Sequence, residues 1–163
     1  MNLRERVESY RQQIISSTQE IISIPSIKGE ALPGKPFGEG INRALEYALS
    51  LAADMGFKTK NLDGYAGYAE FGEGEQTLAI LVHLDVVPAG DGWTYPPFAG
   101  EIHEGKIYGR GATDDKGPAI AALYAMKAVM DSGVKLGKKV RLIFGTDEES
   151  GWKDMEYYFK HEP

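Results

Sequence analysis

LAILVHLD, residues 78–85, is an apolar run that ends in His83 and Asp85. Side chains two residues apart on a strand project to the same face, so these two groups leave the C-terminal end of such a strand together. In open α/β sheets, ligands bind at that end. A neutral imidazole suits zinc, and a nearby carboxylate fixes which ring nitrogen carries the proton. Taken alone, the pattern also fits a buried strand that ends in a polar turn, so the choice depends on the rest of the chain.

The composition is typical of one globular domain without internal repeats. The 163 residues are 42% hydrophobic and 26% charged, and a chain of this length buries about two thirds of its unfolded surface. The net charge is −6, and no basic stripe offers phosphate contacts, so we expect no nucleic-acid partner. Cysteine is absent, so any metal must be held by histidine and carboxylates. No signal-peptide core or membrane-length apolar run is present, so we expect a cytoplasmic protein with no membrane partner.

The hydrophobic pattern predicts helices that alternate with strands. Helices are predicted over 3–22, 39–55, 115–131 and 151–161; strands over 57–62, 65–71, 77–84 and 139–145; and a short hairpin over 101–108. Asp63-Gly64 and Glu104-Gly105 are turn signals between paired strands. The run at 77–84 is almost entirely apolar, as expected of a strand covered on both faces. We therefore predict an α/β fold, a mixed β-sheet flanked by helices, with no internal domain boundary.

A second polar cluster, GRGATDDKGP at 109–118, directly precedes a predicted helix. It does not match the dinucleotide-binding pattern G-x-G-x-x-G, because Asp114 stands where the third glycine is needed and would repel a pyrophosphate. Asp114 or Asp115 alone fits a helix cap. However, two adjacent carboxylates followed by Lys116 exceed what capping requires. One carboxylate with an oxygen on each of two metals holds them about 3.5–4 Å apart, as in two-metal hydrolases.

A third polar cluster, GTDEESG at 145–151, directly follows an apolar strand. Its three consecutive acids repel one another unless a cation lies among them. They also fit a solvated acidic turn that precedes the last helix. Neighbouring loop side chains diverge, so Glu148 and Glu149 are able to take different roles, one binding metal and the other accepting a proton from water. Each of the three polar clusters also has a purely structural explanation. Their occurrence together, each beside a predicted strand or helix, favours a metal site.

HLDVVPAGDGW, GRGATDDKGP and GTDEESG, in this order and spacing, resemble the co-catalytic zinc metallopeptidases. That family includes carnosinases, aminoacylases, carboxypeptidase G and succinyl-diaminopimelate desuccinylase. The pairing of HLDVVPAGDGW with DDKGP is most similar to the branch of bacterial dipeptidase V (Xaa-His dipeptidase) and carnosinase. The resemblance covers nearly the whole chain and implies a zinc-exopeptidase-like catalytic domain. It also implies an enzyme that hydrolyses the amide bond of a dipeptide substrate with metal-activated water.

The resemblance implies a role for each polar residue of the three motifs. His83 would bind one zinc, Glu149 would bind the other, and Asp114 would bridge both. Glu148 would be the general base and acid, and Asp85 would orient His83 from behind. Zinc is the expected metal, two ions per complete site, although manganese and cobalt accept the same ligands. The peptide bond after Asp114 is often cis in this family.

Members of this family are longer than 163 residues. They complete the two metal sites with a further aspartate and a C-terminal histidine, and they insert a lid domain that contacts substrate. We therefore expect residues 1–163 to be the N-terminal part of a catalytic domain, truncated before the lid domain and C-terminal part, and inactive alone. A sheet that lacks its later strands is expected to expose an edge or an apolar face and so to favour self-association.

Two alternatives remain open from the sequence. An N-acyl amino acid deacylase or desuccinylase of the same family would hydrolyse N-acyl amino acids and leave free-amine dipeptides intact. The second is a non-catalytic metal-binding or interaction domain derived from the enzyme. The open reading frame distinguishes it from the enzyme: a natural gene that stops at Pro163 would favour the non-catalytic domain.

Overall fold

The computed structural model describes residues 2–162, which form five helices and six strands. The helices are α1 (Leu3–Ser9), α2 (Arg11–Ile22), α3 (Glu39–Asp54), α4 (Lys116–Asp131) and α5 (Lys153–His161). The strands are β1 (Lys58–Leu62), β2 (Ala66–Phe71), β3 (Thr77–His83), β4 (Glu101–His103), β5 (Lys106–Tyr108) and β6 (Lys139–Gly145). Within the described residues, every helix is too short or too polar to cross a membrane.

Four strands form one mixed sheet in the spatial order β1-β2-β6-β3. β2 is antiparallel to both of its neighbours, whereas β6 runs parallel to β3 and places Gly145 beside His83. β4 and β5 form a separate antiparallel hairpin. The predicted α/β fold with a mixed sheet is thus confirmed. Because β3 and β6 are parallel neighbours, their carboxyl ends lie side by side, and the segments that follow them meet at one edge of the sheet.

Helices lie on both faces of this sheet. Alternate residues of β6 point to opposite faces: Leu142 and Phe144 join the core formed with α2, α3 and α4, whereas Ile143 packs against α5. Helix α5 buries Met155 and Tyr158 in that second cluster. Helix α4 packs against α1 and α2 on one side and against β3 and β6 on the other. It therefore connects the helical layer to the strands that carry the candidate site.

The single helix predicted over residues 3–22 is wrong at Tyr10, where the chain forms two helices instead. Tyr10 has φ −93° and ψ 3°, and its N–H donates to Val7 O at 3.0 Å, one residue closer than the α-helical partner. The interruption brings the Tyr10 hydroxyl to 2.5 Å from Asp131 Oδ2 and its ring to 5.9 Å from that of Tyr124. Both partners lie on α4. These tertiary contacts leave no trace in the 3.6-residue periodicity of the sequence.

The sequence pattern predicted that strand β3 is covered on both faces, and this prediction is wrong. Among residues 2–162 it has a neighbouring strand on one side only, so it forms an edge of the sheet. Leu78 is 58% exposed and Leu81 is 49% exposed. Helix α5 packs over β2 and β6, which leaves Leu81 open on that face. Leu78 lies on the opposite face, that of Ile80 and Val82. The expected open edge and exposed apolar side chains are thus present in residues 2–162, whereas the self-association expected from them stays a prediction.

The predicted turns and helix ends agree closely with the structure. Asp63 and Gly64 both have positive φ, at 52° and 76°, and they join β1 to β2. Glu104 and Gly105 do the same between β4 and β5, with φ of 50° and 74°. Gly56 follows α3 with φ 94°, the left-handed conformation that glycine adopts without strain. Helices α4 and α5 begin one or two residues later than predicted.

Candidate metal centre

The candidate centre lies at the carboxyl ends of β3 and β6. His83 is the last residue of β3 and is buried, and residues 146–149 directly follow β6. Asp114 lies just before α4, which packs against both strands. One possible ligand atom of His83, one of Asp114 and one of Glu149 lie within 4.8 Å of one another. The structure thus brings together, from three separate segments, the three residues that the sequence predicts as metal ligands.

His83 is held so that one ring nitrogen faces the acidic groups. Its Nδ1 lies 3.1 Å from the backbone oxygen of Asp85. Because a carbonyl oxygen only accepts, Nδ1 carries the hydrogen and donates it. Its Nε2 lies 2.9 Å from Asp114 Oδ1 and 3.8 Å from Glu148 Oε2. Burial opposes the charged imidazolium, but hydrogen bonds with Asp85 and Asp114 outweigh burial and raise the pKa of His83 to about 9.

Asp85 is buried and contacts both His83 and the segment that follows β6. Its Oδ1 lies 3.4 Å from His83 Nδ1, on the side of the ring opposite Asp114. The same carboxylate accepts the backbone N–H of Glu148 at 3.2 Å and that of Glu149 at 3.0 Å. The sequence predicts the contact with His83 but not the bonds to the 146–149 segment. Asp85 therefore connects the end of β3 to the segment that follows β6.

The acidic groups around His83 repel one another. Burial, together with the negative charges of Asp114, Glu148 and Asp85, raises the pKa of Glu149, and the nearby His83 only partly offsets this. A cation among these carboxylates would relieve the repulsion. One imidazole and two carboxylates are a donor set that zinc, manganese and cobalt accept. The residues present therefore fit a divalent transition-metal ion.

Asp115 faces the centre instead of capping α4. It occupies the N-cap position, but its side chain forms no capping hydrogen bond. Its Oδ2 instead accepts the backbone N–H of His83 at 3.2 Å. The Asp114–Asp115 peptide bond is cis, as the family resemblance implies. The next residue, Lys116, is fully buried and donates to Ile24 O at 2.6 Å, which connects the start of α4 to the loop that follows α2.

The sequence patterns missed the contacts of two buried carboxylates next to the centre, those of Asp147 and Asp154. Asp147 is fully buried, its Oδ1 lies 2.5 Å from Lys28 Nζ, and its Oδ2 accepts the N–H of Lys153 at 3.2 Å. Asp154 is also buried and accepts the N–H groups of Thr146 and Asp147. The one available signal was the position of Asp154 in the first turn of α5, which is common for acidic residues. Its inward direction depends on tertiary packing.

Loss of the Lys28 ammonium should destabilise the fold through Asp147. We expect Lys28→Met to lower the free energy of unfolding by about 1–3 kcal/mol, because a buried carboxylate loses its charged partner. Lys28 is 41% exposed, so water partly replaces the ammonium and the lower end of the range is expected. Urea unfolding measures the change. Lys35→Met is the control, because it removes an exposed pair with Glu39 from the same loop and should have little effect; equal losses would contradict this role for Lys28.

Comparison with known proteins identifies the family of this chain. Residues 79–161 match the model of peptidase family M20/M25/M40, so the chain belongs to that family. The matched range contains the five motif residues described above: His83, Asp85, Asp114, Glu148 and Glu149. The resemblance inferred from the three sequence motifs is thus confirmed.

The chain is similar to named dipeptidases over nearly its whole length. It is 54% identical over 164 residues to the putative dipeptidase YtjP of Bacillus subtilis (strain 168), a match that covers 99% of this chain and 35% of that protein. It superposes on human carnosine dipeptidase 1 with a TM-score of 0.79 and 26% identity, covering 98% of this chain and 37% of that one.

A third similar protein is an M20 family metallo-carboxypeptidase from Sulfolobus solfataricus. Its structure matches with a TM-score of 0.75 and 30% identity, covering 91% of this chain and 34% of that one. The mixed sheet with flanking helices is therefore shared with solved peptidases of the family. In each of the three comparisons, this chain spans only about a third of the relative's length, between 34% and 37%.

Proposed function

We propose that this chain is part of a metal-dependent dipeptidase, which hydrolyses the amide bond of dipeptides. The observation that carries this proposal is the convergence of His83, Asp114 and Glu149 within 4.8 Å, with Glu148 beside them. Membership of a peptidase family and the similarity to named dipeptidases support the reaction class. We also propose that residues 1–163 are the N-terminal part of the catalytic domain, in keeping with their share of the length of YtjP.

His83, Asp114 and Glu149 would hold the metal. Following the family pattern, His83 and Glu149 would each serve one of two ions and Asp114 would serve both. Bound zinc, manganese or cobalt would polarise the scissile carbonyl and make the attacking water more acidic. The similarity to a metallo-carboxypeptidase supports this metal dependence.

Glu148 would carry the proton during hydrolysis. Its side chain is 40% exposed, and its Oε2 lies 3.8 Å from His83 Nε2, so it can reach a substrate beside the metal ligands. As a general base it would take a proton from the water that attacks the carbonyl carbon. As a general acid it would give that proton to the amine nitrogen when the C–N bond breaks, which releases two amino acids. Asp85 would keep His83 in the tautomer whose Nε2 is free for the metal.

Zinc titration of the wild-type chain and Asp114→Ala tests the metal site. We expect the wild type to bind zinc, and we expect Asp114→Ala to weaken its affinity at least about 100-fold. Loss of a residue that merely supports a ligand already weakens metal binding by about 10–100-fold. Calorimetry in the presence of a competing chelator measures both affinities. Asp91→Ala, which alters an exposed aspartate in the 86–100 loop, should bind like the wild type. Equal binding by wild type and Asp114→Ala would remove Asp114 from the site.

A further inference from the structure

The carboxylate of Asp154 lies against the segment that connects β6 to the candidate metal centre. Asp154 belongs to the first turn of α5 and is buried. Its Oδ2 accepts the N–H of Thr146 at 2.7 Å and that of Asp147 at 3.1 Å, and its Oδ1 accepts the N–H of Met155 at 2.7 Å. Thr146 and Asp147 are themselves fully buried, so water is not available to replace these acceptors.

The close approach of Asp154 depends on the residue that ends β6. A Cβ atom on Gly145 would lie 2.8 Å from Asp154 Oδ2, which is too close for a side chain at that position. Two of the three hydrogen bonds of the Asp154 carboxylate go to the 146–149 segment and only one goes to α5 itself. The carboxylate therefore does more than stabilise the start of its own helix.

Asp85 continues the same pattern along the segment. It accepts the next two N–H groups, those of Glu148 and Glu149. Four successive backbone N–H groups, from residue 146 to residue 149, thus donate to two buried carboxylates. Hydrogen bonds between an N–H and a carboxylate are about twice as strong as those between neutral groups. The backbone from which Glu148 and Glu149 project is therefore held at each residue.

We propose that Asp154 is a positioning residue for metal binding, which holds the 146–149 segment so that Glu149 meets His83 and Asp114. This inference rests on the proposed function, because it requires Glu149 to bind the metal. Without the Asp154 acceptor, the first half of the segment is free to shift and the Glu149 carboxylate moves with it. A metal site bound through displaced ligands has lower affinity and a different geometry.

Cobalt binding to the 163-residue chain tests this role. We expect Asp154→Ala to weaken the affinity for Co²⁺ about 10–100-fold and to change the visible absorption bands of the bound ion, which report its ligand geometry. Asp154→Asn keeps one acceptor oxygen and should fall between Asp154→Ala and the wild type. The control is Tyr158→Phe, which removes a partly buried hydrogen bond that Arg141 donates to α5 and should lower the Tm without changing affinity or spectrum.

Two results would overturn the positioning role. One is an affinity for Co²⁺ and an absorption spectrum in Asp154→Ala that equal those of the wild type. The other is an equal loss of Co²⁺ affinity in Asp154→Ala and in Tyr158→Phe. If the variants do not fold, hydrogen exchange on the wild type tests the role without them. The amide hydrogens of residues 146–149 should exchange as slowly as those of β6. Fast exchange in this segment would overturn the role. Asp114→Ala separates the two proposals. If it binds Co²⁺ as well as the wild type, the proposed function fails; if it binds weakly while Asp154→Ala binds normally, only the positioning role fails.

Discussion

Lowering the pH from 9 to about 7 should weaken the affinity of this chain for a divalent metal ion about 50-fold. The pKa of His83 in the metal-free chain is raised to about 9, and only the neutral imidazole binds metal. Below that pKa, the metal has to displace one proton from His83. About half of the imidazole is neutral at pH 9 and about one hundredth is neutral at pH 7, so the affinity falls about 50-fold over this range. Competition calorimetry with Co²⁺ in a chelator buffer, at several pH values from 7 to 9, measures this dependence.

The control for this pH dependence is His83→Ala, in which the coupled proton release should disappear. The metal-free stability should show the opposite trend to the metal affinity. Because the folded pKa of His83 lies above its ordinary value, protonation stabilises the metal-free fold fully below about pH 6.5. This contribution is lost as the pH rises through about 9. A metal affinity that stays constant between pH 7 and 9 would contradict the link between His83 and the metal.

Phe144→Ala should lower the free energy of unfolding by about 3–5 kcal/mol, because it opens a cavity in the main core. Phe144 is buried in the core cluster that also contains Val82 and Leu142. It lies on β6, which pairs with both β2 and β3. Domains of this kind are stable by only about 5–15 kcal/mol, so the variant should be marginally folded. Urea or thermal unfolding followed by circular dichroism measures the loss.

The control for this core substitution is Phe159→Ala. Phe159 lies on α5 and is 67% exposed, so the same change of side chain removes little buried surface. We expect a change of about 0.5 kcal/mol or less. Similar losses in the two variants would show that Phe144 contributes no more than a surface phenylalanine.

Local sequence patterns predicted most of the fold because they report properties of neighbouring residues. The turn at Asp63-Gly64 follows from the ease with which these two residues adopt positive φ. The apolar stripe of α3 similarly follows from a 3.6-residue period. The two errors, the break at Tyr10 and the exposed edge of β3, both concern contacts with distant parts of the chain. Tyr10 bonds to Asp131, and the exposure of Leu81 on β3 depends on where α5 packs.

The candidate site also combines features that local sequence patterns predict with contacts that depend on distant parts of the chain. The motifs indicated which residues are able to bind metal, and the family match confirms the family that the motifs suggested. Chain order does not reveal that β3 pairs with β6 and not with β2, which is closer in sequence. That pairing places Gly145 beside His83 and so brings Glu149 to the histidine. The arrangement of the ligands is therefore a consequence of the sheet order.

The sequence by itself determined the types of donor groups available at three junctions: the imidazole of His83 and the carboxylates of Asp114 and Glu149. Only the tertiary structure decided what holds those groups in place. Asp85 and Asp154 accept the N–H groups of the 146–149 segment across long stretches of chain. The physical reason is that a hydrogen bond depends on the distance and direction between two atoms. Sequence periodicity describes one element at a time, whereas these distances are set by how separate elements pack together.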